Sequence, residues 1–570
     1  MGPCRGLQPE RQPSGARAAA RAAGGGASGS GAAYRIVDHV CSEEGAAEVY
    51  REPRRPQFHF TPARNYMNDP NGLVYHKGVY HLFFQSNPLA NHKGYTAWGH
   101  AESSDLLHWE QVPDAIAQDA EGMPYSGSAV VDWHNTSGFH QVGLGPPLIA
   151  IYTIAPMAGG PSSQRIAYSH DGGRVWTKVS KDVVPPFGKD PEPGNDARDP
   201  LVRWHEPSKR WVMILYFAKG EYQLFGSRDL QNWRYLSSVQ FEGAYECPDM
   251  FEMPIAGEPA GHTKWVVFAP NGQYVVGEFD GSHFRSEGPV QRLEYGVAYA
   301  SQTFDEEPLG RRVQLSWLQP RKVDTRSGAF RGTGFTGAMA FPAELELVRL
   351  PRSPGGLRLR KRPVPELARL RLARLPAASG VLPPGAPLRI EEPAGRAGPE
   401  GAGLEIRVRA RLPQGEARLA AHPRADPEPR LNLTVRGETI RFSAPEGTVE
   451  GAVHVNEWRM PLAFEGGAME VRILADRTTL EIYDLIGGTS LSIYHDLPCD
   501  GTEWKRHIEM GARHEGTEID ELDVYHLGSA LPSHPPDQQS LHRRLRAFPP
   551  ELEAGMADWQ RVAGNPELFD

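Results

Sequence analysis

The sequence predicts an all-β chain, a five-bladed β-propeller followed by a C-terminal β-sandwich, on three observations. From residue 57 it is a succession of short runs rich in Val, Ile, Tyr, Phe and Trp, among them PLIAIYTI (147–154), RWVMILYF (210–217) and RRVQLSWL (311–318). Such runs, bounded by turn residues and without a competing helical period, have strand composition. Next, SSDLLHWEQV (103–112), YSHDGGRVWTKV (168–179), GSRDLQNWRYL (226–236) and EFDGSHFRSEG (278–288) repeat one pattern: an Asp after a strand, a short turn, then an aromatic. The aromatics Trp109, Trp176, Trp233 and Phe284 are 67, 57 and 51 residues apart, room for the four short strands of a propeller blade. Last, stretches such as GLEIRVRARL (403–412) and AMEVRILADRTTLEIYDL (468–485) alternate with period two at regular spacing, as sandwich strands do.

In chain order, residues 1–56 read as a leader whose N-terminal part is disordered. Its GARAAARAAGGGASGSGAA (15–33) has no continuous apolar core, so it does not read as a secretory signal. Residues 57–350 divide by the repeat into about five blades; the competing reading is an irregular sandwich whose Asp-turn hairpins resemble one another by chance. Residues 351–376, Pro- and Arg-rich, read as a linker, 377–527 as the β-sandwich, and 528–570 as a tail.

Composition narrows the function. Of 570 residues, 39% are hydrophobic and 23% charged, as in a globular protein, and the net charge of −9 gives no footprint for nucleic acid. No run approaches the roughly 20 apolar residues of a membrane helix, so no membrane partner is expected and the compartment is cytoplasmic by default, with secretion open if the true N-terminus differs. Four scattered cysteines, Cys4, Cys41, Cys247 and Cys499, offer neither a disulfide framework nor a Cys-x-x-Cys metal site. The sequons at Asn135 and Asn432 matter only in a secreted eukaryotic protein.

Against the repeat, three acids fall in phase. Asp69 lies 40 residues before Trp109, Asp199 34 before Trp233, and Glu246 38 before Phe284. Each therefore sits at or just before the first strand of its blade, the strand that borders the channel. Asp69 in NDPNG has an innocent reading as a turn residue, but turn acids have no reason to share a phase. Clustered carboxylates drive one proton affinity up and leave another group ionised, the asymmetry an acid and a nucleophile need at a glycosidic bond. Calcium is the competing explanation, weakened because Arg198 beside Asp199 already supplies a cation. No metal and no cofactor are expected.

These acids carry a family resemblance. MNDPNG (67–72), RDP (198–200) and ECPD (246–249) occur in order, with supporting blocks FHFTP (58–62), WGHAESSDLLHWE (98–110), YSGSAVVDWHNTSGF (125–139) and FTGAMAFPAEL (335–345). The chain resembles glycoside hydrolase family thirty-two, the β-fructofuranosidases: invertases, exo-inulinases and levanases. The resemblance implies a five-bladed propeller and sandwich releasing terminal β-D-fructofuranosyl units with retention, from fructans (inulin or levan) and sucrose. It implies Asp69 as nucleophile, Glu246 as acid/base and Asp199 as transition-state stabiliser, with Arg198 orienting the site. Asn68, Gln85, Tyr125 and Ser126 fall where the family contacts fructose, and Trp98, Tyr299 and Trp317 would be aromatic walls. Cys247 reads either as a small buried residue or as a tuner of Glu246.

Departures bear on the substrate. Tyr66 stands where the family often has Trp, Ser86 where Tyr is common, and Lys93 where an aromatic usually follows the Gln by eight residues. Alternatives are a sucrose-restricted invertase, a fructosyltransferase, and a non-catalytic fructan-binding protein; the last would usually have lost one of the three acids. Oligomeric state is not legible.

Overall fold

The computed structural model describes residues 49–157, 159–184, 197–218, 220–320, 330, 333–350, 356–392, 403–413, 429–444, 450–495 and 507–533. Most of the leader, the tail beyond 533, and Cys4, Cys41 and Cys499 lie outside the described residues. Among the described residues no helix is long and apolar enough to cross a membrane.

Five small antiparallel sheets form in sequence. Blade one holds Asn65–His76, Val79–Asn87, Ala97–Ser103 and Glu110–Ala117; blade two Met123–Val131, Leu148–Ala155, Ser163–Ser169 and Thr177–Val184. Blade three holds Arg198–His205, Arg210–Ala218, Glu221–Ser227 and Trp233–Gln240; blade four Asp249–Pro254, Thr263–Phe268, Gln273–Phe279 and Phe284–Ser286. Blade five holds Ala298–Thr303, Arg312–Leu318, Ala343–Arg349 and Leu357–Pro363. Phe335–Thr336 then pairs in parallel with Asn65 and Tyr66 of blade one, and Asp305 exchanges backbone hydrogen bonds with Leu73 and Tyr75. Last blade joins first, leaving no open edge between them.

The repeat has a structural cause: it is the turn between the third and fourth strands of blades one to four. Asp105 accepts the N–H groups of Leu107 and His108, Asp171 those of Arg174 and Val175, Asp229 those of Gln231 and Asn232, and Asp280 those of Ser282 and His283. In the first three, the tryptophan indole N–H closes the turn on a carbonyl: Trp109 on Leu106, Trp176 on Gly173, Trp233 on Leu230. Those carbonyl residues are left-handed, with φ of 65°, 78° and 61°, and the Asp supplies the donor satisfaction that makes the tight backbone tolerable.

The stretch expected as a linker, 351–376, differs from that expectation. Leu357–Pro363 is the outer strand of blade five, paired along its length with Ala343–Arg349. Its Arg and Lys content misleads because an outermost strand buries one face only: Leu357, Leu359 and Lys361 are buried and the intervening arginines are not. A 3₁₀ turn at Pro365–Leu370 follows, and Arg371–Leu375 already pairs with the sandwich strand Glu518–Leu527.

The sandwich stacks an eight-stranded sheet, including Gly403–Arg411, Ala468–Ala475, Thr479–Asp484 and Glu518–Leu527, on a six-stranded one that includes Leu431–Val435, Glu438–Ser443 and His507–Ala512. Their inward residues, among them Ile406, Val408, Leu433, Ile440, Ile473 and Ile482, form one dry core. It meets the propeller across a buried polar seam. His59 Nδ1 lies 2.8 Å from Asp476 and Nε2 3.2 Å from Glu481, while the Gln57 and Phe58 N–H groups donate to Asp476 and the Phe341 N–H to Glu481.

Candidate active site

The three phased acids meet at one end of the channel. Asp69 is the fifth residue of blade one's first strand, Asp199 the second residue of blade three's, and Glu246 stands three residues before blade four's. Two side chains bind the trio together. Cys247 Sγ lies 3.4 Å from Asp69 Oδ2 and 3.4 Å from Asp199 Oδ2, and its backbone N–H donates to Asp199 Oδ2 at 3.0 Å. Arg198 donates through Nη2 to Glu246 Oε2 at 2.8 Å, with Nε 3.7 Å from Asp199 Oδ2. The Cys247 thiol faces the two aspartates rather than the Glu246 carboxylate, and burial followed by the charge of Asp199 holds its proton on.

Backbone geometry aims these groups. Asp199 at φ 62° and Cys247 at φ 48° are left-handed, a conformation that non-glycine residues adopt at a cost of about 1–3 kcal/mol. The strain at Asp199 is held by its own N–H donating to Thr153 Oγ1 of blade two. Ala300 at φ 51° lies in a bulge beside Tyr299, whose hydroxyl donates to Glu246 Oε1 at 2.7 Å. Both oxygens of Glu246 thus carry a donor, Arg198 on one and Tyr299 on the other. Asp69 accepts from Ser126 Oγ at 2.7 Å and from Asn68 Nδ2 at 3.2 Å.

Electrostatically the site is short of positive charge. Burial raises Asp69, and Glu246 raises it further, against the hydrogen bonds of Ser126, Asn68 and Cys247. Burial lifts Asp199 to about 7, Arg198 opposing and Glu246 and Asp69 adding to the rise. Asp69 and Asp199 thus crowd each other and Glu246 beside a single guanidinium, and like charges so close favour the protonated form of the two aspartates. Burial also pushes the Tyr299 hydroxyl up, with Glu246 beside it, so it stays a donor.

The remaining expected site residues divide. Tyr125 and Ser126 open blade two's first strand, Ser126 on Asp69. Gln85 is buried, its amide donating to the Pro124 carbonyl. Trp98, expected as a wall, is 0% exposed and gives its indole N–H to the Tyr125 carbonyl. It packs on Phe83 and Tyr152 behind the site and supports Tyr125, since a fully enclosed ring has no face left for a ligand. Trp317 packs edge-on to Tyr299, 6.4 Å between centroids, and its buried indole N–H has no hydrogen-bond partner among the described residues. Lys93 is exposed.

Three participants escaped sequence reasoning. Thr153 carries no motif and is found only through the fold. Tyr216 and Tyr245 flank the Arg198 guanidinium at 4.8 and 5.8 Å, a cation–π clamp; Tyr245, adjoining Glu246, was the legible one. Conversely, the last letter of ECPD is structural: Asp249 pairs with Arg203 at 3.2 Å and accepts from the Thr303 N–H and hydroxyl, tying blades three, four and five.

A propeller whose channel gathers carboxylates from three blades around one arginine defines a glycoside hydrolase. The chain belongs to family 32 of that class: residues 59–360 match the Glycosyl hydrolases family 32 N-terminal domain. It is 34% identical over 519 residues to the levanase of Bacillus subtilis (strain 168), covering 84% of this chain and 71% of that enzyme. It is 36% identical over 358 residues to an extracellular exo-inulinase of Aspergillus niger, covering 54% of this chain and 65% of that protein. The crystal structure of exo-inulinase from Aspergillus awamori superposes with a TM-score of 0.70 at 27% identity, over 84% of this chain and 99% of that one.

Proposed function

We propose that this glycoside hydrolase releases terminal β-D-fructofuranosyl units from inulin- or levan-type fructans and from sucrose, with retention, through a covalent fructosyl-enzyme. The observation that carries the reading is the meeting of Asp69, Asp199 and Glu246 around Cys247 and Arg198. The names of the relatives, levanase and exo-inulinase, supply the substrate class.

Asp69 is the nucleophile. A carboxylate oxygen bonds the anomeric carbon as the glycosidic C–O bond breaks, and Glu246 delivers a proton to the departing oxygen. Glu246 then takes a proton from water, whose oxygen attacks the anomeric carbon, and the Asp69 ester bond breaks to restore the carboxylate. The anomeric carbon of fructose is fully substituted, so positive charge develops on it readily; Asp199 is the carboxylate that accepts hydrogen bonds from fructose hydroxyls during that development. Arg198 and Tyr299 hold Glu246 by separate oxygens, fixing its direction while the proton leaves and returns.

The test is to incubate the protein with sucrose, inulin and levan and chromatograph the products over time. Free fructose accumulating from all three is expected. Fructose from sucrose alone would replace the reading with an invertase, oligosaccharides lengthening at high sucrose would replace it with a fructosyltransferase, and no product from any would remove the activity.

A further inference from the structure

The block VVDWHNTSGF (130–139) contributes nothing to the acid site, yet it builds a surface of its own. It leaves blade two where the first strand, Met123–Val131, ends. That end is remote from the acids: along Arg198–His205, Arg198 is in the site and Trp204 six residues further, about 20 Å at 3.3 Å per residue. Here Trp133 is 54% exposed, the most exposed tryptophan among the described residues. Its indole N–H donates to the Glu306 carboxylate. In blade three Trp204, partly exposed, repeats the device, giving its indole N–H to Glu206 Oε2 at 2.6 Å. The His134 ring lies between the two in the chain and 5.4 Å from Trp204.

The platform is rigid. Asp132 accepts the N–H and hydroxyl of both Thr136 and Ser137 at 2.6–3.0 Å. Trp211 and Gln231 of blade three fasten the loop, donating to Thr136 Oγ1 at 2.8 Å and to the Ser137 carbonyl at 2.7 Å. An indole whose only donor is committed offers a ligand its face, and a face held in advance binds without an ordering cost. The neighbouring carboxylates accept hydroxyl hydrogen bonds and repel anions. Flat rings interleaved with hydroxyl acceptors suit a neutral polyhydroxyl chain, whereas a protein partner wants a contiguous apolar core.

We propose that this far mouth is a second carbohydrate-binding site, which holds a neutral fructan chain against the faces of Trp133 and Trp204. The identity of the polymer rests on the function proposed above; the presence of the site does not depend on turnover. It serves to keep the enzyme on polymer while chain ends are cut at the other mouth.

Native gels cast with levan, inulin or dextran read the site directly, in an Asp69→Asn background so that polymer is not consumed. Retardation by levan or inulin is expected, falling at least fivefold in apparent affinity with Trp133→Ala added and remaining with Trp133→Phe. In the otherwise wild-type enzyme, Trp133→Ala should leave kcat/KM on sucrose unchanged and lower it on polymer. Equal retardation of parent and Trp133→Ala variant would overturn the proposal, as would loss of retardation accompanied by a change of oligomeric state on size exclusion, which would assign the rings to a second copy of the chain. If wild type releases no fructose from any substrate but Trp133→Ala still abolishes retardation, the activity falls and the binding site stands.

Discussion

At the seam between propeller and sandwich, Asp476 and Glu481 are buried as thoroughly as Asp199 is in the channel, yet their protons move the opposite way. Burial pushes Asp476 up, but the His59 hydrogen bond and charge and the N–H groups of Phe58 and Gln57 outweigh it and bring it below its ordinary range. Glu481 follows, pulled down by the same His59 with Lys361 and the Phe341 N–H assisting. Between them His59, which burial alone would neutralise, is raised to about 9 by its two carboxylates. In the channel the donors are as numerous but the charges are not matched, and burial wins. Enclosure therefore does not set the sign; the count of opposing charges does. The seam is neutralised and spends its acids on joining two parts of the chain. The channel keeps its acids under tension, and that tension is chemically usable.

The contrast is broken most severely at Asp69, the proposed nucleophile. Asp69→Asn keeps the shape and the hydrogen bonds but cannot form the fructosyl ester, so kcat should fall by about 10⁴-fold or more with the fold intact. Stopped release of fructose alongside an unchanged circular dichroism spectrum is the expected pair of results; retained turnover would take the role from Asp69.

At the seam the same kind of single change should damage the fold instead. His59→Gln removes the cation that the two buried carboxylates share and leaves Asp476 unmatched, which costs about 3–5 kcal/mol, read as a lower urea midpoint. Its pH dependence identifies the cause. His59 binds its proton more tightly folded, about 9 against 6.5, so the stability it contributes is whole below 6.5 and is lost as pH rises through 9. Wild type should weaken over that window, and the variant should lack that limb.

The unequal legibility of these two clusters follows from how each is built. The three channel acids could be read because each rides at a similar distance, 34 to 40 residues, before the turn aromatic that repeats in its blade, a periodicity printed in the sequence. The seam could not: His59 lies 417 residues from Asp476 and 422 from Glu481, and nothing local in FHFTP marks a histidine for two distant acids. The five blades were legible from the turns, but not where the fifth ended, because an outer strand such as Leu357–Pro363 is half polar and resembles a connection. The family resemblance puts Trp98 in the pocket wall, though a matching motif does not say which side of a strand a ring takes. Gln85 is its cross-strand partner, and the indole turned under Tyr125 rather than into the channel.

A milder change should relieve the channel rather than break it. The Asp199 carboxyl is held at about 7 in the fold, against 3.8 for an ordinary aspartate. The folded state thus favours its protonated form, stability declines as pH rises between those values, and the full penalty applies above 7. Asp199→Asn removes it. The variant should be more stable than wild type at pH 8, by up to about 4 kcal/mol, and nearly equal to it at pH 4, while kcat drops about 10²–10³-fold for want of the stabilising charge. Equal thermal midpoints at pH 8 would mean that Arg198 already balances the site.

The smallest expected effect separates the two holders of Glu246. Tyr299→Phe leaves the ring against Trp317 and deletes only the hydroxyl that donates to Oε1. A carboxyl that loses one of its two donors is less firmly directed at the departing oxygen, so kcat/KM on sucrose should fall. Because Arg198 still grips Oε2, the acid remains aimed and the maximal rate should fall about tenfold at most. An equal loss on an activated aryl fructoside, whose departure needs little help from a proton, would show that the hydroxyl positions the sugar instead of governing the proton transfer. A loss confined to sucrose, with the fast-leaving aryl fructoside as the control, would put the channel's tension in the hydrogen bonds around Glu246 as well as in the crowding of its acids.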